Sequence, residues 1–322
     1  MLKVAISGAG YAAHYFVKSL TELGCPIAGI TNRTKDHGVE LAKEAGTQYY
    51  DTLDDLLANS DAEALLVTTA TTRHVQDIRS AAENGISWIF CEKPAGVDLG
   101  EIRQIKTICE EYQIKLGIGY KMRYESIFSQ AKKLIDEGRI GKLVSITLNF
   151  YQTVPHSSWY LDNGFIRETM AHPIDLANWF AASQPQVVVC QTQNYLGGLK
   201  EDRASLYVKF ESGLTSCING GWISQYPYIA GRKNICFELV GTGGYICGIR
   251  PDTLILCDEN GQVKITFGLT DPIKEEFMDF SRRVKLGNTP SIGIDAAIQA
   301  HEVIDAAVRS AASGNAVNID HQ

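Results

Sequence analysis

The chain has no Cys-x-x-Cys pair, no His-Glu-x-x-His spacing, no internal repeat, no low-complexity linker and no block of like charge. Its apolar runs fall well short of the roughly 18 residues that a membrane-crossing helix requires. Each absence narrows the function. Lys and Arg number 30 against 37 Asp and Glu, a net charge of −7 without clustering, which argues against nucleic acid or an anionic membrane as the main partner. The 8 cysteines (Cys25, Cys91, Cys109, Cys190, Cys217, Cys236, Cys247 and Cys257) are scattered, mostly in apolar stretches. They read as buried thiols of a reducing cytoplasm. The histidines and acids show no ligand-type spacing, so no metal is expected. No signal-peptide profile precedes the first strand-like run at residues 2–7. A soluble cytoplasmic protein is the expectation, and 322 residues at 45% hydrophobic leave room for two domains.

What is present has a regular order. Over residues 1–120, apolar strand-like runs alternate with amphipathic helical ones, which implies right-handed crossovers and a doubly wound parallel sheet. The first run leads into Gly8, Ala9, Gly10, Tyr11, Ala12 and Ala13, a G-x-G-x-x-A fingerprint. Gly8 allows a tight turn, Gly10 lets the backbone approach a pyrophosphate, and Ala13 permits close packing of helix on strand. The helix that opens there offers its N–H groups to phosphate. The second strand, 26–31, ends in Asn32, Arg33 and Thr34. A carboxylate there would bind the ribose diol of NAD and repel a 2′-phosphate. It is missing and an arginine follows, so NADP is favoured over NAD, with a plain solvated turn as the alternative.

The strand at 64–69 is followed by Ala70, Thr71, Thr72, Arg73 and His74. The hydroxyls of Thr69 and Thr71 stand where they reach a nicotinamide ribose. His74 fits either that role or packing at the start of the next helix. The run at 86–91 then delivers Glu92, Lys93 and Pro94. A lysine at the carboxyl end of a parallel strand points into the crevice where a nicotinamide lies, which suggests hydride transfer.

From about residue 121 the pattern becomes one or two helices and then many strands separated by glycine turns, the mark of a mainly antiparallel sheet. Helices are expected at 125–138, 169–182, 272–286 and 293–313. The run Gly241, Thr242, Gly243, Gly244 resembles a phosphate cradle but opens no helix, and it reads as a hairpin turn. Glu168, His172 and Asp175 have spacings of four and three, which place them on one helical face. Pro173 fits only a first turn, so His172 is expected there, where the positive end of the helix dipole favours a neutral imidazole suited to a general base. A first-turn histidine tied to Asp175 for structure alone fits the same spacing.

Taken in order, these motifs resemble the glucose–fructose oxidoreductase and inositol dehydrogenase family (Gfo/Idh/MocA), together with the runs 120–124, 138–142 and 293–297. The resemblance implies a Rossmann domain at 1–120 and an α/β domain at 121–322, whose large open sheet forms homodimers or homotetramers. It implies NAD or NADP as cofactor and a sugar, amino sugar or cyclitol as substrate. The family's catalytic lysine falls on Lys93 and its histidine on His172, with Glu168 tuning them and Asp175 holding His172 or a substrate hydroxyl. Tyr120, Arg123, Tyr151, His156, Trp159 and Tyr160 become candidate substrate contacts. The sequence departs from the family pattern where Glu168 replaces an aspartate, Met170 replaces a glycine and Ala70 replaces a proline. These departures leave open a sensor that has lost turnover, or an enzyme that recycles bound NAD in a net non-redox reaction.

Overall fold

The apolar runs of the first 120 residues are strands buried on both faces. The computed structural model describes residues 2–155, 158–224 and 234–321. These divide into two units, Met1–Lys121 with Asp271–Ile298, and Met122–Thr270 with Gln299–Gln322. The first unit runs β1 (Val4–Ser7), α1 (Tyr11–Glu22), β2 (Ile27–Thr31), α2 (Lys35–Glu44), β3 (Tyr49–Tyr50), α3 (Leu53–Asn59), β4 (Ala64–Val67), α4 (His74–Glu83), β5 (Trp88–Cys91), α5 (Leu99–Glu111) and β6 (Lys115–Ile118). All its strand pairs are parallel, in the order β3-β2-β1-β4-β5-β6. Every residue of β1 and β4 is buried, as a sheet covered on both faces demands. The strand order reverses between β1 and β4, where an open α/β sheet leaves a crevice at its carboxyl edge.

The second unit begins with α6 (Ser126–Asp136), β7 (Leu143–Thr153), α7 (Ser158–Asn163), α8 (Phe165–Glu168) and α9 (Ala171–Ala181). There follow β8 (Pro185–Gln193), β9 (Arg203–Phe210), β10 (Thr215–Ser224), β11 (Asn234–Gly241), β12 (Gly244–Ile249), β13 (Thr253–Asp258) and β14 (Gly261–Ile265). The chain closes with α10 (Pro272–Leu286), α11 (Ile294–Ser313) and β15 (Val317–Asn318). A nine-stranded sheet takes the order β14-β13-β12-β11-β7-β10-β9-β8-β15. It is antiparallel except for the parallel pair of β7 and β10. Its strands alternate: in β9, Ala204, Leu206, Val208 and Phe210 are buried while Tyr207 and Lys209 face out. Phe128 of α6 and Phe180 of α9 pack on Phe237 of β11, at ring separations of 5.3 and 6.2 Å. Gly241 pairs with Gly244 as a hairpin end, as the glycine pattern predicts.

Helix α10 is where the linear split at residue 120 fails. Asp271 caps it by accepting the Ile273 N–H at 3.0 Å, Pro272 takes its first turn, and Gly287 ends it at φ +68°. The helix belongs to the first unit, and Ile273, Phe277 and Phe280 join that unit's core beside Phe16 and Phe90. Among the described residues, no helix is long and apolar enough to cross a membrane.

Candidate active site

The turn after β1 has the shape its glycines predict. Gly8 sits at φ +109°, and a Cβ there would lie 2.6 Å from the Thr68 carbonyl carbon and 2.7 Å from the Thr69 nitrogen. Only glycine fits against the end of β4. At Gly10, the N-cap of α1, a Cβ would meet nothing within 4 Å. Space is therefore open where a ligand's phosphates would approach, and no side chain caps the first turn of α1. Ala13 is fully buried in the core of the first unit, while Tyr11 is exposed. A cavity of about 470 Å³ opens beside this turn and is lined by Gly10, Asn32, Arg33, Thr34, Thr69 and Ala70, among others. These residues fit a dinucleotide.

Within that set the roles differ from expectation at two places. Asn32 does not present a free side chain to a ribose: its Oδ1 accepts the Ala9 N–H at 3.1 Å and its Nδ2 donates to the Thr34 carbonyl at 2.8 Å, so it braces the glycine turn. His74 is withdrawn as a cofactor contact. It is 1% exposed, and its ring nitrogens lie 3.2 Å from the Ala95 carbonyl and 3.0 Å from the Thr69 carbonyl, which ties the loops after β4 and β5 together. Thr71 starts the short turn before α4 and is not among the cavity-lining residues. A residue the sequence reading missed is Asp77. It is buried and accepts the Ser7 hydroxyl at 3.2 Å and the Thr69 hydroxyl at 2.7 Å, so one carboxylate orders the ends of both β1 and β4. Its sequence signal was faint: hydroxyl residues ending two strands, with an acid on the following helix.

Glu92 and Lys93 follow β5 directly, at the carboxyl edge of the sheet. The Glu92 N–H donates to the Val67 carbonyl at 3.0 Å, which continues the β4–β5 ladder by one step. The Glu92 side chain turns back so that Oε2 accepts the Lys93 N–H at 3.0 Å. A Cβ on Gly119 would come within 3.2 Å of the same oxygen, so Glu92 is confined against the residue after β6. Lys93 itself is half-buried. Tyr120, proposed from sequence as a substrate contact, is fully buried and is withdrawn from that role.

In the second unit His172 lies in the first turn of α9, as Pro173 requires, and is half-buried. Glu168 does not share its helix. The chain breaks at Thr169 and Met170, so α8 ends with Glu168 and α9 starts at Ala171. The Trp222 Nε1–H donates to the Thr169 hydroxyl at 3.1 Å, which pins this break to β10. The same-face argument therefore covers His172 and Asp175 alone. Asp175 is also reassigned: Arg123 donates to it twice, Nε to Oδ2 at 2.9 Å and Nη2 to Oδ1 at 2.6 Å. Burial pushes the Asp175 carboxyl up, and Arg123 offsets this in part. With Asp175 1% exposed and engaged by both Arg123 nitrogens, neither residue stands ready for a substrate. Arg123 also lies over the Trp179 ring, 5.6 Å from its centroid. Met170 is fully buried, so its bulk goes into packing. Tyr151 is half-buried near the end of β7, opposite Gly221. His156 and the side chains of Trp159 and Tyr160 lie outside the described residues.

Residues 2–120 match the oxidoreductase family with an NAD-binding Rossmann fold, and residues 128–247 match the GFO/IDH/MocA C-terminal domain. The chain is 25% identical over 340 residues to scyllo-inositol 2-dehydrogenase (NAD(+)) of Bacillus subtilis, covering 99% of this chain and 96% of that protein. It is 24% identical over 308 residues to D-xylose 1-dehydrogenase (NADP(+)) 2 of Haloferax volcanii, covering 91% and 92%. An oxidoreductase of Agrobacterium radiobacter, solved with NAD+, L-tartaric acid and magnesium, has the same fold at a TM-score of 0.90 and 19% identity, over 99% of this chain and 98% of its own. Both halves match in order along the sequence, and the protein belongs to the GFO/IDH/MocA family of NAD-binding oxidoreductases.

Proposed function

We propose that this chain moves a hydride between a nicotinamide cofactor and a secondary alcohol or ketone of a sugar, amino sugar or cyclitol. The observation that carries the reading is Lys93, held by Glu92 at the carboxyl edge of the same parallel sheet whose β1 turn leaves room for phosphates. When bound, the nicotinamide supplies the hydride acceptor or donor. Lys93 donates a hydrogen bond from Nζ to the substrate oxygen and stabilises the negative charge that develops there. His172 takes the hydroxyl proton and returns it in the reverse direction. Glu168, which ends α8 just ahead of α9, tunes His172 by its charge. The relatives named above act on an inositol and on xylose, which supports the substrate class.

NADP is the favoured cofactor. Arg33 and His37 line the cavity at the end of β2, where NAD enzymes place a carboxylate. Assembly is proposed through the outer face of the nine-stranded sheet, where Tyr207, Val240, Tyr245 and Ile249 are exposed. Sedimentation would show a dimer or larger species, and a monomer would refute the assembly.

The test follows nicotinamide absorbance with NAD and NADP in parallel, against hexoses, amino sugars, inositols and their keto forms. Turnover is expected with at least one, falling about 10²–10⁴-fold in Lys93→Ala and His172→Ala. Cofactor binding without turnover across the panel would turn the reading to a sensor. Substrate conversion without reduced cofactor accumulating would turn it to a net non-redox enzyme.

A further inference from the structure

Helix α10 buries a face made of Ile273, Glu276, Phe277 and Phe280. The spacings of three, one and three put all four on one stripe, three of them apolar and one an acid. Glu276 is 1% exposed, and neither carboxyl oxygen has a hydrogen-bond partner among the described residues. Phe280, one helical turn after Glu276, packs edge-on against Phe90 at a ring separation of 5.4 Å, and Glu92 follows Phe90 by two residues on the same side of that strand. The charges that act on Glu276 are Glu92, Lys121 beyond β6, and Asp271 at the cap of its own helix. Burial pushes the Glu276 carboxyl well above the usual carboxylate range; the Glu92 and Asp271 charges add to this, and Lys121 opposes it. A fully buried, unpaired carboxylate is costly enough that the group keeps its proton instead. An apolar side chain would fill this stripe at less cost, so packing alone does not account for an acid here.

Glu92 links this acid to the candidate catalytic lysine. Its Oε2 is held between the Lys93 N–H and the close approach of Gly119. We propose that Glu276 is a positioning residue for Lys93, supplying the acid dipole that keeps the Glu92 carboxylate on the Lys93 amide. A neutral polar group beside a half-buried carboxylate stabilises it without the repulsion of a second charge. If Glu276 ionises, two like charges face each other and the turn that carries Lys93 loses its anchor. That Lys93 is catalytic rests on the hydride-transfer reading above; the burial of Glu276 on the stripe that packs against Phe90 does not.

The test compares Glu276→Gln, which keeps a polar group of the same shape and cannot ionise, with Glu276→Met, which fills the stripe. In the full chain, Glu276→Met is expected to lower kcat roughly tenfold or more while the Kd for NADP stays unchanged. Glu276→Gln is expected to hold kcat within about twofold and to carry the alkaline limb of the pH profile to higher pH. A purely structural role would move stability and leave that limb in place. Equal kcat in wild type and Glu276→Met, or equal loss in both variants, overturns the proposal. A second readout needs no substrate: the acylation rate of Lys93, followed by peptide mass spectrometry. It should change several-fold in Glu276→Met and stay at the wild-type value in Glu276→Gln, and an unchanged rate in both overturns the proposal. Should no substrate turn over, the hydride-transfer reading fails, and the acylation rates still decide the role of Glu276.

Discussion

Asp175 in the second unit and Glu276 in the first are equally buried acids in opposite electrostatic settings. Asp175 meets Arg123 through two charge-assisted hydrogen bonds, whereas neither Glu276 oxygen has a hydrogen-bond partner among the described residues and the charge of Glu92 acts against its ionisation. Asp77 lies between these extremes, answered chiefly by the hydroxyls of Ser7 and Thr69, with the Arg73 guanidinium 3.6 Å away. Three buried carboxyls are thus made tolerable by a counterion, by neutral donors and by a retained proton. The first solution rests on a guanidinium, which keeps its charge at any ordinary pH. The last is soft, because its only safeguard is a proton that base can remove.

The largest expected effect breaks the first solution. Arg123→Met leaves Asp175 buried without its partner and should cost about 3–5 kcal/mol in urea unfolding. Adding Asp175→Leu removes the orphaned acid as well and should recover most of that loss; no recovery would mean that Arg123 stabilises through its stacking on Trp179. Next comes a change of opposite sign: Glu276→Met should gain about 1–3 kcal/mol at neutral pH, since it removes a buried polar group that lacks a partner. The pH dependence follows from the direction of the shift. A carboxyl raised by folding contributes its stability below its unfolded value, near about 4.3, and loses it as pH rises towards the folded value. The advantage of Glu276→Met over wild type should therefore widen from about pH 4 upward, and unfolding curves with a constant offset would contradict a retained proton. The smallest effect sharpens the middle case: Thr69→Val removes one neutral donor from Asp77 and should cost about 1 kcal/mol, read as a lower urea midpoint.

Much of this was legible because the signals are local. The β1 turn could be read from Gly8 and Gly10, and the bounds of α10 from Asp271, Pro272 and Gly287, since capping and positive φ depend on neighbours in sequence. Alternation in β9 is local in the same way, with Ala204, Leu206, Val208 and Phe210 buried in turn. What sequence did not disclose are pairings across distance. Arg123 and Asp175 are 52 residues apart; the first was expected to meet substrate from the family resemblance and the second from its spacing to His172, and neither signal carries their pairing. His74 looked available until both its nitrogens were found on carbonyl oxygens of two loops. The break at Thr169 depends on Trp222, far along the chain. Likewise the stripe Ile273, Phe277 and Phe280 announces that α10 is buried, but not against which core.

That last pairing bears on how the protein is made. The first unit draws its final helix from residues 271–298, after the whole of β7 to β14 has been synthesised. Until Phe277 and Phe280 leave the ribosome, the faces of Phe16 and Phe90 that they cover have no native partner, and Glu92 lacks Glu276. The nascent dinucleotide-binding half therefore waits, partly uncovered, for almost the entire chain, and a fragment cut at residue 120 should be more prone to aggregate than the complete protein.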